Sequence, residues 1–142
     1  MSQIRTAVIG LNMGLEHAHA YKLAKRSELR WVVDLDEEKA AKVAAELGCR
    51  HTTDWTQVLD DVDAVSICTP HHLHAPMAMK AIEAGKHVLV EKPLANSEED
   101  CIRLIEAAKK RDVRLMLAYV VRYLPAVRKL KEALDSGKYG VP

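Results

Sequence analysis

The chain has 142 residues, a formal net charge of +1 at pH 7, 49% hydrophobic and 29% charged residues, and three cysteines. That length fits one domain with a core large enough to fold without disulfides, and the near-neutral balance argues against a polyanion-binding surface. The widely spaced cysteines form no CxxC pair, no apolar run approaches the roughly 20 residues that cross a bilayer, and the start Met1-Ser2-Gln3-Ile4-Arg5 lacks signal-peptide organisation, so a cytoplasmic protein with no nucleic-acid or membrane partner is expected.

Short β-rich runs alternate with helical segments, the pattern of βαβ units. Ile4 to Ile9 reads as the first strand, followed by the turn Gly10-Leu11-Asn12-Met13-Gly14 and a helix over Leu15 to Arg26. Leu29 to Val33 is the second strand, closed by Asp34. Asp36 caps the next helix, in which Ala40, Val43, Ala44 and Leu47 share a face and Gly48 marks the end. A short strand at Arg50 to Thr52 precedes a brief helix capped by Asp54 and running to Leu59. Ala64-Val65-Ser66-Ile67-Cys68 reads as a fully buried strand ending at Thr69-Pro70, and Pro76 fits the first turn of a helix that Gly85 stops.

His87-Val88-Leu89-Val90 is an apolar run broken by Glu91-Lys92-Pro93, because proline removes a ladder donor. Asn96 and Ser97 precede the acidic turn Glu98-Glu99-Asp100, which suits the start of a helix that buries Cys101, Leu104, Ile105 and Ala108. Val113 to Ala118 is the last strand. Pro125 opens a closing helix with Val127, Leu130 and Leu134 inward and Gly137 as its stop. Right-handed crossovers assemble about six such strands into an α/β, three-layer, doubly wound parallel sheet of order 3-2-1-4-5-6.

In open α/β sheets ligands bind beyond the carboxyl ends of the strands, so the residues there carry the functional reading. The turn from Gly10 to Gly14 lies where backbone N–H groups and a helix dipole hold a pyrophosphate. It departs from GxGxxG: Asn12 takes the second glycine position and Gly14 comes one residue early. Asn tolerates a left-handed backbone better than most residues, which permits the turn, while its side chain competes with phosphate for space. An ordinary strand-to-helix turn needs the same small residues.

Asp34, 24 positions after Gly10, is placed to accept hydrogen bonds from an adenosine ribose and to repel a 2′-phosphate, which favours NAD over NADP. The ribose of S-adenosylmethionine presents the same hydroxyls, so a methyltransferase stays open at this point. Thr69-Pro70-His71-His72-Leu73-His74 follows the fourth strand beside the point where strand order reverses. Its histidines lack a carboxylate or thiolate partner and an i,i+4 helical pair, so cleft-lining or exposed roles are expected and no metal site. His17 and His19 are assigned surface or packing roles. Glu91 and Lys92 at the end of a buried strand point to chemistry, although both are also common solvated strand ends.

The glycine turn, Asp34, the run from Ala64 through Thr69-Pro70 to His74, the segment Ala84-Gly85-Lys86-His87-Val88-Leu89-Val90-Glu91-Lys92-Pro93, and Arg122 before Pro125 together resemble the glucose-fructose oxidoreductase / inositol dehydrogenase / MocA family. The resemblance covers essentially the whole chain. It implies an amino-terminal NAD(P)-binding Rossmann domain of an oxidoreductase that moves hydride between a nicotinamide and a sugar, cyclitol or related hydroxyl. It implies Lys92 as the catalytic residue, beside the nicotinamide and the substrate hydroxyl. Thr69, Pro70, His71, His74, Glu91, Lys92 and Arg122 are then expected to line the cofactor cleft with Gly10, Leu11, Asn12, Met13, Gly14 and Asp34, the cofactor being NAD, with NADP admissible.

Members of that family continue into an α/β domain that makes the substrate pocket and oligomer interface and carries an acid/base histidine. Ser136 to Pro142 resembles the end of the Rossmann part, and none of the seven histidines holds that catalytic position. Residues 1–142 are therefore expected to be the NAD(P)-binding domain without its substrate domain: cofactor-binding, catalytically incomplete, and able to form a homo-oligomer through the uncovered interdomain surface. A noncatalytic nucleotide-binding or interaction module is the other reading; it needs Gly10 to Gly14 and Asp34 but not Lys92.

Overall fold

The strands are β1 (Ile4–Ile9), β2 (Ser27–Val33), β3 (Arg50–Thr52), β4 (Ala64–Ile67), β5 (His87–Val90) and β6 (Leu115–Leu117) in a computed structural model that describes residues 3–140. Met1, Ser2, Val141 and Pro142, which belong to the start and end segments read above, lie outside the described residues. The strands pair in the order β3-β2-β1-β4-β5-β6, all parallel, which is the doubly wound arrangement expected from the alternating pattern. The helices are α1 (Gly14–Leu23), α2 (Glu37–Leu47), α3 (His74–Glu83), α4 (Glu98–Arg111) and α5 (Pro125–Asp135).

Successive strand residues point to opposite faces, and both faces are covered, so the strands read as continuous apolar runs. Ala7, Ile9, Val65, Ile67, Val88 and Val90 face one core, which Met77, Ala81 and Ile82 of α3 and Leu104 and Ala108 of α4 close. Val8 and Val32 face the other, beneath Ala18 of α1 and Ala40, Val43, Ala44 and Leu47 of α2. The caps are those the residue types announce: Asp36 accepts from Lys39 N–H, Ser97 from Asp100 N–H, and Gly48 takes a left-handed φ of 65°. At the amino end of the sheet, hydrogen bonds from the Arg5 guanidinium at 2.5 and 3.1 Å hold the Asp63 carboxyl down to about 2; this half-exposed pair ties β1 to β4 at the end opposite the ligand-binding rim.

Several boundaries differ from the sequence reading, for local reasons. The first helix ends at Leu23 because Ala24 turns to extended backbone, and Ser27, whose hydroxyl donates to the Tyr21 carbonyl at 2.5 Å, already starts β2. The segment after Asp54 is a 3₁₀ turn, Trp55–Asp61, and the last strand is three residues long because left-handed Asp112 uses Val113 to close α4. In α4, Leu104 is buried as expected, but Ile105 is 42% exposed.

The largest departure is α5. It lies beside the adjoining 3₁₀ turn Val120–Tyr123 and not on the sheet, and it buries none of its residues, so Leu130 and Leu134, expected inward, are 60% and 41% exposed. An amphipathic sequence records that a helix has an apolar side, not that this side is covered. No helix among the described residues is long and apolar enough to cross a membrane.

Candidate functional site

The strand register brings the candidate residues onto one rim. Ile9 pairs with Val33 and Ile67, Ile67 with Val90, and Val90 with Leu117, so the four central strands and β6 end level. The ladder then continues for one residue: Gly10 N–H donates to the Val33 carbonyl, Cys68 N–H to Ile9, Glu91 N–H to Ile67 and Ala118 N–H to Val90, at 2.8 to 2.9 Å. Gly10, Asp34, Cys68 and Glu91 therefore sit side by side at the carboxyl edge, where β1 and β4 mark the reversal of strand order.

Gly10 has φ +86°, and a Cβ placed on it would lie 2.7 Å from the Cys68 carbonyl oxygen and 3.1 Å from Thr69 N. Gly14 is equally closed, since a Cβ there would meet Val8 Cγ1 at 2.7 Å. These contacts let α1 start hard against the rim. No described side chain caps it at Met13, so its first N–H groups and the positive end of its dipole face the rim. Asn12 does not use a left-handed backbone: among the described residues Asp112 alone does so without being glycine, and in the turn Gly10 takes that role. The Asn12 amide oxygen instead accepts from Lys39 Nζ at 2.6 Å.

Asp34 closes the β2 end of the rim. Its carboxylate accepts from Leu11 N–H at 2.8 Å, Asp36 N–H at 3.1 Å and Lys39 Nζ at 3.2 Å. Burial pushes this carboxyl up, but those three donors outweigh it and keep it below its ordinary value. Leu11 is wholly buried and joins the glycine turn to Asp34 through its backbone. A collision-free glycine cradle, an uncapped helix start and an ionised carboxylate at the next strand end are the features a dinucleotide requires, so these residues fit one.

At the other end lie the loops after β4 and β5. Thr69 is half-buried, Pro70 and His71 are exposed, and Lys92 is exposed beside Glu91, which is 8% exposed. His74, expected to line the cleft, does not: it is wholly buried, with Nδ1 2.6 Å from the Pro93 carbonyl oxygen and Nε2 2.8 Å from that of Thr69. It braces the two loops from beneath. Arg122 is exposed on the 3₁₀ turn after β6, in a surface hollow with Tyr123, Val127 and Arg128. Burial, and then the neighbouring Glu91 charge, push the Cys68 thiol up to about 12, so it acts as a packing group and not as a nucleophile.

Sequence reasoning missed His17. Its side chain is 12% exposed, with Nε2 3.2 Å from Glu91 Oε1 and Nδ1 3.3 Å from Ser66 Oγ, while Tyr21 Oη lies 2.7 Å from the same Ser66 oxygen. The signal was present as spacing: Gly14, His17, Ala18 and Tyr21 fall at i, i+3, i+4 and i+7, one face of a helix, and Gly14 and Ala18 are the buried residues of α1. Lys39 was missed as well, one turn inside a helix whose apolar face drew the reading.

A family model described as "Oxidoreductase family, NAD-binding Rossmann fold" (GFO_IDH_MocA) matches residues 4–119. The chain is 41% identical over 133 residues to UDP-N-acetylglucosamine 3-dehydrogenase of Acidithiobacillus ferrooxidans, covering 94% of this chain and 42% of that protein. It is 38% identical to inositol 2-dehydrogenase 3 of Saccharopolyspora erythraea, covering 98% and 43%. Among solved structures, GenD2 from gentamicin A biosynthesis in complex with NAD superposes with a TM-score of 0.92 at 35% identity, covering 97% of this chain and 40% of that one. The chain thus spans less than half the length of these relatives. By the match over residues 4–119 and the rim that the same residues build, it belongs to the GFO/IDH/MocA oxidoreductase family, with its NAD-binding Rossmann fold.

Proposed function

We propose that residues 1–142 are the NAD-binding domain of a cytoplasmic dehydrogenase acting on a hydroxyl of a sugar, cyclitol or related compound, and that the substrate pocket is completed by further polypeptide in the whole protein. The observation that carries this reading is the single rim on which the Gly10 cradle, the Asp34 carboxylate and the Glu91-Lys92 pair lie at level strand ends. The sugar and inositol dehydrogenases among the relatives support the substrate class.

A bound nicotinamide supplies the hydride acceptor. The chain supplies placement: α1 and the Gly10 turn hold the pyrophosphate, Asp34 takes the ribose hydroxyls, and Thr69, Pro70 and His71 border the nicotinamide end. The Lys92 ammonium hydrogen-bonds the reacting hydroxyl and stabilises negative charge on its oxygen. Lys39, beside Asp34, offers a cation to a 2′-phosphate, which allows NADP a weaker hold than NAD.

Calorimetric titration of the chain with NAD, NADH and NADP tests the reading. Saturable NAD binding is expected, tighter than NADP, and Asp34→Ala is expected to weaken NAD by roughly 10- to 100-fold, the worth of hydrogen bonds to a charged group. No binding of any of the three, or an unaffected Asp34→Ala variant, would overturn it.

The open side of α5 and the exposed Val120, Val121, Tyr123 and Leu124 support a second expectation, that copies of this chain pair through that face. Sedimentation velocity is expected to show association that rises with concentration and disappears in Leu130→Glu. A monomer throughout would remove the pairing and leave the cofactor reading intact.

A further inference from the structure

A polar chain crosses the apolar layer between α1 and the sheet. Tyr21 Oη lies 2.7 Å from Ser66 Oγ, Ser66 Oγ 3.3 Å from His17 Nδ1, and His17 Nε2 3.2 Å from Glu91 Oε1; Lys92 N–H donates to Glu91 Oε2 at 3.1 Å. Ser66 is wholly buried on the sheet face opposite its neighbours Val65 and Ile67, so its hydroxyl points under α1. Polar groups in such a layer are costly unless every partner is in place, and apolar side chains would fill the space equally well. Packing alone therefore does not explain them.

The network holds the Glu91 carboxylate by both oxygens. One is held from α1, a turn after the Gly14 start that faces the pyrophosphate; the other holds the backbone of Lys92. Helix and lysine are thereby cross-linked through a single carboxylate. We propose that His17 is a positioning residue for Lys92: by fixing Glu91 Oε1 it keeps Oε2 on the Lys92 N–H, and so keeps Lys92 in register with the dinucleotide-binding helix. The functional weight of this rests on the reading of Lys92 as the residue that meets the substrate hydroxyl, for which a displacement of about 1 Å costs on the order of 100-fold in rate.

The test uses two variants that each keep half of the imidazole. Glutamine places an amide nitrogen near the position of Nε2 and can still reach Glu91; asparagine places one near Nδ1 and can reach only Ser66. Amide hydrogen exchange at Lys92 is read by NMR in the chain without cofactor, beside the strand amides of Val65, Ile67 and Val90. His17→Asn is expected to speed exchange at Lys92 by roughly 10-fold or more while the strand amides hold, and His17→Gln to restore it to within about 3-fold. Unchanged exchange at Lys92 in His17→Asn overturns the proposal, as does an equal rise across the strand amides or a failure of glutamine to restore what asparagine loses. Titration of the unsubstituted chain with NAD, run in parallel, judges the cofactor reading separately.

Discussion

Gly10→Ala is expected to lower the unfolding midpoint by about 10 °C and to abolish NAD binding. Two costs add at this position. A non-glycine residue with left-handed backbone is strained by about 1 to 2 kcal/mol, and the new methyl group meets the Cys68 carbonyl at 2.7 Å, backbone against which no side chain can give way. The sum of about 3 kcal/mol is a large part of the stability of a domain this size. Gly85→Ala is the control, because Gly85 has φ +73° but nothing within 4 Å of its added Cβ, so it carries the conformational cost alone. Thermal unfolding of both variants separates the terms. If Gly10→Ala is no worse than Gly85→Ala, the turn does not depend on its approach to β4.

Lys92→Met in the whole oxidoreductase is expected to cut turnover by roughly 100- to 10,000-fold, the range for a group acting directly on the reacting proton or charge, with NAD affinity nearly unchanged. Methionine keeps the length and apolar stem of lysine and removes the ammonium. The Lys92 backbone N–H stays on Glu91 Oε2, so the loop keeps its anchor. Steady-state kinetics with direct NAD titration read the two effects apart. Turnover that survives the substitution removes Lys92 from the chemistry, and equal losses in turnover and NAD affinity make it a cofactor contact instead.

What was legible in the sequence is what local chemistry enforces. Gly48 and Ser97 end and start their helices because their side chains, or the lack of one, decide the backbone there. The buried runs of β1, β4 and β5 announced a sheet covered on both faces, and with right-handed crossovers little freedom of strand order remained. The glycine turn was read correctly in place but not in detail, since Gly10 rather than Asn12 supplies the left-handed residue.

Long-range partners were not legible. His17 and His74 look alike in one dimension, yet each is decided by the loop after β5: Glu91 for the first, and Pro93, with the nearby Thr69 carbonyl, for the second. The α5 stripe of Val127, Leu130 and Leu134 was visible as periodicity, while its exposure depends on what lies opposite. Polar residues on a buried helix face are the hardest case, because a composition-based reading assigns them to solvent.

The level strand ends carry one more consequence. The edge on which the residues proposed to meet cofactor and substrate stand is drawn by main-chain hydrogen bonds from Gly10, Cys68, Glu91 and Ala118, not by the side chains displayed there. On the proposed function, exchanging Thr69, His71 or Asn12 is therefore expected to change what the edge recognises without changing where it runs. A scaffold of this kind separates the inheritance of geometry from the inheritance of specificity, and lets one drift while the other is kept.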